Sequence, residues 1–331
     1  MGQRNVPPAD DGQRLDRWLK RVCVGVPFVA IQKALRTGRV RVDGARVAAD
    51  VRLKAGSRVE MPDDFLRAVA PDAVFALKDA DRDALASWVI YEDRQLLVLN
   101  KPQGLPAQAG GGQVRSLDRI LAAVFGAERA PKLTHRLDRE TTGVIVAAKN
   151  RSTAAAVTQA FADRAMRKVY IAFVVADALP AQGQMREPLA KVGPLAKVVP
   201  ANDPRGDSAH TVWVRLGEVR PGIYAVLVSP LTGRMNQIRA HFFHHGWPLV
   251  GDDKYGFQTA KPWGKTLGTG LALHAWRLAM DHPLTHAPLL LEAPLPAPWA
   301  AAWGPNLPTA MDAAARAWHN GFGLKKGQGK P

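Results

Sequence analysis

The residues of this chain that could do chemistry crowd into a few short stretches, and the densest is Thr134–Asn150, THRLDRETTGVIVAAKN. Here His135, Arg136, Asp138, Arg139 and Glu140 run into GVIVAA, which carries no charge. A carboxylate flanked by guanidinium groups is favoured in its ionised form. At the mouth of a buried strand, such a group can serve as a nucleophile or base at neutral pH. The same residues also suit a plain turn, with the Asp138 carboxylate bonding backbone amides and Gly143 relieving a tight conformation. Glu140 adds a second carboxylate, but its spacing alone does not set a carboxylate pair across a sugar. It reads as a surface or RNA-facing group.

A second dense region is SPLTGRMNQIRAHFFHHGWPLVGDDKYG, residues 229–256. A strand ending at Ser229 leads through Leu-Thr-Gly into a helix with Ile238 and Phe242 on one face. Asn236, Arg239 and Phe243 lie near one another on another face. Arg239 thus reaches inward, where its charge needs a paired carboxylate. His241, His244 and His245 suggest a metal, but no HExxH pattern is present, so they read as ordinary polar or RNA-facing groups and no metal is expected. KPQGLPAQAGGG (101–112) lacks both the Gly-Lys-Ser/Thr ending of a phosphate loop and the spacing of a dinucleotide fingerprint. No nucleotide cofactor is expected; a tight loop beside a site is. In RKVYIAFVV (167–175), Tyr170 opens an apolar strand as a core residue with one wet end, or as a stacking platform for a displaced RNA base.

The elements that must position these groups fall into pieces. In residues 13–62, Leu15, Trp18, Leu19 and Val22 have the spacing of a one-sided helix, and Phe28, Ile31 and Leu35 repeat it before a stop at Gly38. RVRVDGARV then predicts a hairpin turning at Asp43-Gly44, and SRVEMP a further strand. Residues 1–60 hold 13 Lys and Arg against 6 Asp and Glu. Lys33, Arg36, Arg39 and Arg41 on these polar faces suit a phosphate backbone better than base reading. Residues 63–87 are acidic and alanine-rich and read as a linker with some helix. From Trp88 to about residue 305, strands (WVIYEDRQLLVLNKP, TGVIVAAK, KVYIAFVV, HTVWVRL, GIYAVLVSP) interleave with helices without a βαβ rhythm. That predicts an α+β domain on a mixed, largely antiparallel sheet, behind a small, basic N-terminal α/β domain suited to a phosphate backbone. Residues 306–331 read as an extension with one helix, AMDAAARAW, and a basic, disordered tail.

Across 331 residues, 45 Lys and Arg against 29 Asp and Glu give +16 at pH 7 and a pI near 10.3. Arginine-heavy codon usage would raise the charge too, but the excess favours a polyanionic partner, because each neutralised phosphate releases counterions. Cys23 is the only cysteine, which excludes a disulfide framework and a thiolate metal site. No eighteen-residue apolar run and no signal-peptide pattern occur, so a cytoplasmic protein without membrane association is expected. Nothing indicates an obligate dimer, and a monomer is expected.

HRLDRETTGVIVAAK closely resembles the catalytic motif of the RluA-type pseudouridine synthases, an HRLD followed by two residues, Thr-Ser-Gly, an apolar strand and a lysine. NKPQGLPAQ, KVYIA, LTGRMNQIRAHFFHHGWPLVGDDKYG and LALHAWRLAMDHP resemble further family blocks in the same order, so the likeness spans roughly residues 88–300. Residues 13–62 resemble the αL RNA-binding motif (ribosomal S-four-like), and GVPFVAIQKALRTGRVRVDGARV is most similar to the RluC branch, which modifies large-subunit ribosomal RNA. The resemblance implies the pseudouridine synthase fold and cofactor-free isomerisation of specific uridines, in 23S ribosomal RNA above all. It implies that Asp138 attacks the ribose or the uracil ring, and that the base detaches, rotates and reattaches through carbon 5. Tyr170 would stack on the target base and help proton transfer, Arg239 would pair with Asp138, and Leu273 would form the apolar wall opposite the tyrosine. Arg136 would enter the RNA stack, with Arg139 and Arg234 as further RNA contacts. Two departures stand out: Thr141-Thr142-Gly143 replaces Thr-Ser-Gly, and Met235-Asn236 replaces the usual Thr-His beside the Asp–Arg pair. The rival readings are a non-catalytic RNA-binding or ribosome-assembly factor, and a hydrolase that would release free base or sugar.

Overall fold

Leu15, Trp18 and Leu19 are fully buried, as their one-sided spacing requires. They seat α1 (Leu15–Val22) against α2 (Phe28–Arg36), and Ile31, Leu35, Val40, Leu53, Val59 and Met61 complete the same core. The computed structural model describes residues 2–23, 26, 28–66, 79–108, 115–256, 260, 263–264, 270–304 and 307–319. The chain forms two compact units, one of Met1–Leu77 with Gln108–Arg119, the other of Lys78–Ala107 with Ile120–Pro331.

In the first unit, β1 (Gly2–Asn5), β2 (Arg41–Val42), β3 (Ala45–Arg46) and β4 (Arg58–Met61) form a sheet in the order β1-β4-β2-β3. The hairpin falls where expected. Asp43 and Gly44 both take positive φ, 50° and 79°, the backbone of a two-residue turn whose twist matches the strands. β1 was not legible. GQRN has no strand pattern and is held by pairing with β4, so the unit takes in residues ahead of 13–62.

The 63–87 span carries α3 (Asp63–Leu66) and, from Asp79, α4 (Asp79–Trp88). Residues 67–78 lie outside the described residues, as do the tail residues 320–331.

The second unit contains β5 (Val89–Glu92), β6 (Leu96–Lys101), α5 (Leu117–Phe125, from Ile120 on), β7 (Lys132–Leu133), β8 (Thr142–Ala148), α6 (Arg151–Ala162) and β9 (Arg167–Val175). There follow β10 (Gln182–Met185), β11 (Leu189–Val192), β12 (Leu195–Val198), β13 (Thr211–Arg220), β14 (Ile223–Pro230), α7 (Gln237–His244), β15 (Leu273–Asp281) and β16 (Pro288–Glu292). The main sheet runs β10-β13-β14-β9-β15-β8-β6-β5, and β15 with β8 is the one parallel pair along that path. It is therefore mixed and largely antiparallel, as expected.

That parallel pair is short. Only His274↔Thr142 and Ala275↔Gly143 are matched, after which β15 pairs with β16 and β8 with β7. The sheet thus forks where both strands begin. Gly143 makes the approach possible: at φ +106° a Cβ would lie 2.2 Å from the Ala275 carbonyl oxygen, so no side chain fits. The Thr142 hydroxyl lies 2.8 Å from His274 Nδ1 across the same junction. A threonine in place of serine keeps this link.

Alternation along β9 divides the core. Val169, Ile171 and Phe173 pack with Trp276, Trp299 and Trp303, while Tyr170, Ala172 and Val174 meet Ile238, Phe242, Leu249 and Leu273, as strand geometry dictates. The helix Leu307–His319 buries Ala310 and Ala314 in the first of these layers. This part of the C-terminal extension is core rather than appendage.

Candidate active site

The Asp138 loop is a bend between β7 and β8, tied at each end. Thr134 sends both its amide and its hydroxyl to the Val146 carbonyl, at 3.1 and 3.0 Å. His135 Nε2 accepts the Val146 amide at 3.0 Å, which requires an unprotonated nitrogen. Burial secures that, lowering the imidazole to about 3 with help from the Lys168 charge. The loop closes with the Thr141 amide donating to the Asp138 carbonyl at 3.1 Å.

A buried lysine braces the loop from behind. Lys101 Nζ donates to the carbonyls of Pro102, Leu105 and Arg139 at 2.8–2.9 Å, matching three acceptors to three ammonium protons. Burial pulls its pKa down to about 7, opposed by the charges of Glu140 and Asp138. Gln103 adds bonds to the carbonyls of Glu140 and Leu271, both at 3.1 Å. The glycine-rich segment after β6 thus begins as a clamp on the Asp138 loop; residues 109–114 lie outside the described residues.

Asp138 faces the start of α7. Its Oδ2 accepts from Asn236 Nδ2 at 2.5 Å and lies 3.6 Å from Arg239 Nη1. Arg239 is buried, as its place on the helix implied, but its tight partner is another carboxylate. Nε and Nη2 form a two-pronged pair with Asp252 at 2.7 and 2.6 Å, and the Tyr255 ring lies 5.2 Å away. Asp252 is fully buried and also accepts the amides of Lys254 and Tyr255, each at 2.9 Å. Burial works against the guanidinium charge, yet the Asp252 bond and charge, then Asp138, raise its pKa. The expected Arg239–Asp138 pairing is therefore the outer, looser half of a triad centred on Arg239. The clue to Asp252 lay in GDDKYG: a buried arginine needs a full-time carboxylate, and this turn offers one in the same block.

These groups open onto a cleft of about 620 Å³. Of the expected site residues it is lined by Arg136, Asp138, Tyr170, Arg234, Arg239 and Leu273. Among the described residues Asp138 is its one carboxylate. Burial first, and then the Asp138 charge, raise the Tyr170 phenol well above its ordinary range, so it stays protonated at neutral pH. Arg234 is anchored by the Ser208 carbonyl at 3.0 Å and faces Asp207 at 3.6 Å. Arg139 is exposed, paired with Glu140 at 2.6 Å, and does not line the cleft. Lys33, Arg36, Arg39 and Arg41 are all exposed on the first unit. Met235, Arg164 and Lys168 also line the cleft, and the last two were not singled out from sequence. Arg164 and Lys168 bracket a turn and a strand start, and only the fold turns them the same way. His241 is interior rather than RNA-facing, held by Thr211 at 2.9 Å and the Glu187 carbonyl at 3.0 Å. Among the described residues no cluster of ligating side chains could hold a metal.

The cleft therefore sets one carboxylate, held by an asparagine and an arginine, beside a tyrosine, a leucine and cationic walls. Comparison with known proteins identifies the class. A family model described as RNA pseudouridylate synthase matches residues 95–244. The "Ribosomal large subunit pseudouridine synthase C" of Vibrio vulnificus is 33% identical over 285 residues, covering 86% of this chain and 90% of that protein. The protein of the same name from Escherichia coli is 34% identical over 294 residues, with the same coverage of each chain. Among solved structures, human RNA pseudouridylate synthase domain containing 4 is 25% identical and covers 67% of this chain and 94% of its own, at a TM-score of 0.55. The chain belongs to the RNA pseudouridylate synthase family, and it is an RNA-modifying isomerase.

Proposed function

We propose that this protein converts specific uridines of large-subunit ribosomal RNA into pseudouridine, with Asp138 as the catalytic carboxylate. The observation that carries this is the solitary Asp138, held through one oxygen at the floor of a cleft shared with Tyr170 and Leu273. The bond from C1′ to N1 breaks, the uracil turns, and C1′ bonds to C5. N1 gains a proton as C5 loses one, so atoms balance without oxidant or energy source. An ionised carboxylate can attack C1′ or the ring, and Tyr170 supplies a stacking face and a protonated hydroxyl beside it. A uracil inside folded RNA must first leave its stack, and Arg136, Arg164, Lys168 and Arg234 offer the cationic surround for the displaced strand. The exposed Lys33, Arg36, Arg39 and Arg41 support reading the first unit as an RNA-binding domain. The relatives named for the ribosomal large subunit support that RNA as substrate. The reaction then belongs in the cytoplasm, and the described site draws on one copy of the chain. Among the described residues no helix is long and apolar enough to cross a membrane.

The test is a short uridine-containing RNA labelled with tritium at C5. Label released to water with RNA mass otherwise unchanged is expected; free uracil would instead favour the hydrolase. Pseudouridine mapping of ribosomal RNA from a strain lacking the gene locates the targets, and an unchanged large-subunit map would remove that RNA as substrate.

Lys168 gives this reading a pH signature. Burial, and secondarily the Arg164 charge, lower its ammonium to about 8, so it is charged below that pH and neutral above. In the free enzyme it donates to the Thr232 carbonyl at 3.0 Å. As a phosphate contact, it should make kcat/KM fall as pH rises from about 7 to about 9. Lys168→Arg should hold kcat/KM level over that range, because a guanidinium keeps its charge. Lys168→Met should be low throughout and reduce the salt slope by about one. Parallel profiles for wild type and Lys168→Arg would remove Lys168 from RNA binding.

A further inference from the structure

Asn236 occupies the N-terminal cap of α7 with φ 51° and ψ 24°, in the left-handed region, which asparagine enters more readily than other residues with a side chain. An asparagine at a helix cap ordinarily accepts a backbone amide of the first turn, but here the side chain makes no capping bond. It is turned instead to the cleft, where Nδ2 donates to Asp138 Oδ2 at 2.5 Å. A carboxylate can only accept, so the amide nitrogen must face Asp138. Its Oδ1 lies 3.5 Å from the Tyr255 hydroxyl, which is held in turn by the Ala196 amide and carbonyl at 2.9 and 2.8 Å. The side chain thus makes one contact on the carboxylate in place of a local cap.

Arg239 cannot supply that contact. Its Nε and Nη2 are committed to Asp252, and its Nη1 stands 3.6 Å from the same Asp138 oxygen. Among the described residues Asn236 is the only side chain that donates to Asp138 within hydrogen-bond distance. Both neighbours lie on Oδ2, which leaves Oδ1 without a protein donor among the described residues. A neutral amide is suited to this. It fixes orientation, whereas a full two-pronged arginine pair on Asp138 would stabilise its charge and blunt its nucleophilicity.

We propose that Asn236 is a positioning residue for the reaction: its amide holds the Asp138 carboxylate by Oδ2 and leaves Oδ1 for attack, and the left-handed backbone is retained to keep it there. The proposal rests on Asp138 as the catalytic carboxylate.

The experiment compares Asn236→Gly, Asn236→Asp and Asp138→Asn in the full-length protein, reading melting temperature, RNA affinity and kcat/KM against pH. Glycine adopts φ near +50° without strain, so Asn236→Gly should melt at or above the wild-type temperature. It should bind RNA within about twofold yet lose roughly 10- to 100-fold in kcat, the cost of a misplaced reacting group. Asn236→Asp sets a second carboxylate against Asp138, and like charges favour protonation. The acid limb of its kcat/KM profile should move up by about one pH unit or more. A merely structural Asn236 would lower the melting temperature and leave that limb in place. Asn236→Gly with wild-type kcat, or Asn236→Asp with an unmoved acid limb, overturns the positioning role while Asp138→Asn remains inactive. Full activity in Asp138→Asn instead overturns the reading beneath it.

Discussion

Asp138→Asn is expected to abolish tritium release from C5-labelled RNA, by roughly 10³-fold or more, as removal of a catalytic nucleophile does. It should leave RNA affinity and melting temperature nearly unchanged. The geometry separates the two outcomes. The Asp138 side chain is 26% exposed, so a neutral amide of the same shape leaves no buried charge unpaired. The loop around it is held by Lys101, Thr134 and His135 through bonds that do not involve the carboxylate. Asn236 can still donate, to the amide oxygen. What is lost is the negative charge that attacks, and nothing else lining the cleft can replace it among the described residues. The measurement is single-turnover tritium release alongside a filter-binding isotherm and a thermal melt. An Asp138→Asn protein that binds RNA, releases no tritium and still fully rescues a deletion phenotype would shift the chain to the ribosome-assembly reading.

How far the site could be read from sequence follows from how local each feature is. The Asp43-Gly44 turn and the helical spacing of Leu15, Trp18 and Leu19 are written within a few residues, and the structure realises both. The burial of Arg239 followed from its place on an amphipathic helix, and the need for a carboxylate partner followed from burial. Which carboxylate did not. Asp138 lies 98 residues and Asp252 13 residues from the helix positions they contact, and the two-pronged choice depends on how the GDDKYG turn folds back on α7. Gly143 shows the same limit: its sequence context suggested a tight turn, whereas its function is to admit the Ala275 carbonyl of a strand more than a hundred residues away. Lys168 and Arg164 were not singled out from sequence, and only the fold sets both on the cleft wall. β1 carries no signal of its own, because its strand character comes from β4.

The Arg239–Asp252 pair is where stability and catalysis can be pulled apart. The two side chains are 2% and 0% exposed, so Asp252→Ala leaves a guanidinium buried without its partner. Such a loss costs about 3–5 kcal/mol, which should appear as a melting temperature lower by roughly 10 °C. The freed guanidinium has Asp253 within reach at 3.5 Å and, on the side of the cleft, Asp138 at 3.6 Å. Closing on it would neutralise the attacking group, so surviving folded protein should turn over at least about tenfold more slowly, with RNA affinity held. Arg239→Met combined with Asp252→Leu removes both charges and fills similar volume. Buried pairs replaced in this way often return most of the lost stability, so the double variant should melt well above Asp252→Ala. Its turnover should stay low, because Arg239 no longer flanks Asp138. Thermal melts and tritium release on the two variants and on Arg239→Met decide the matter. A double variant that recovers stability and turnover together would make the triad a folding device only, and recovery of stability alone assigns Arg239 to the chemistry as well as to the core.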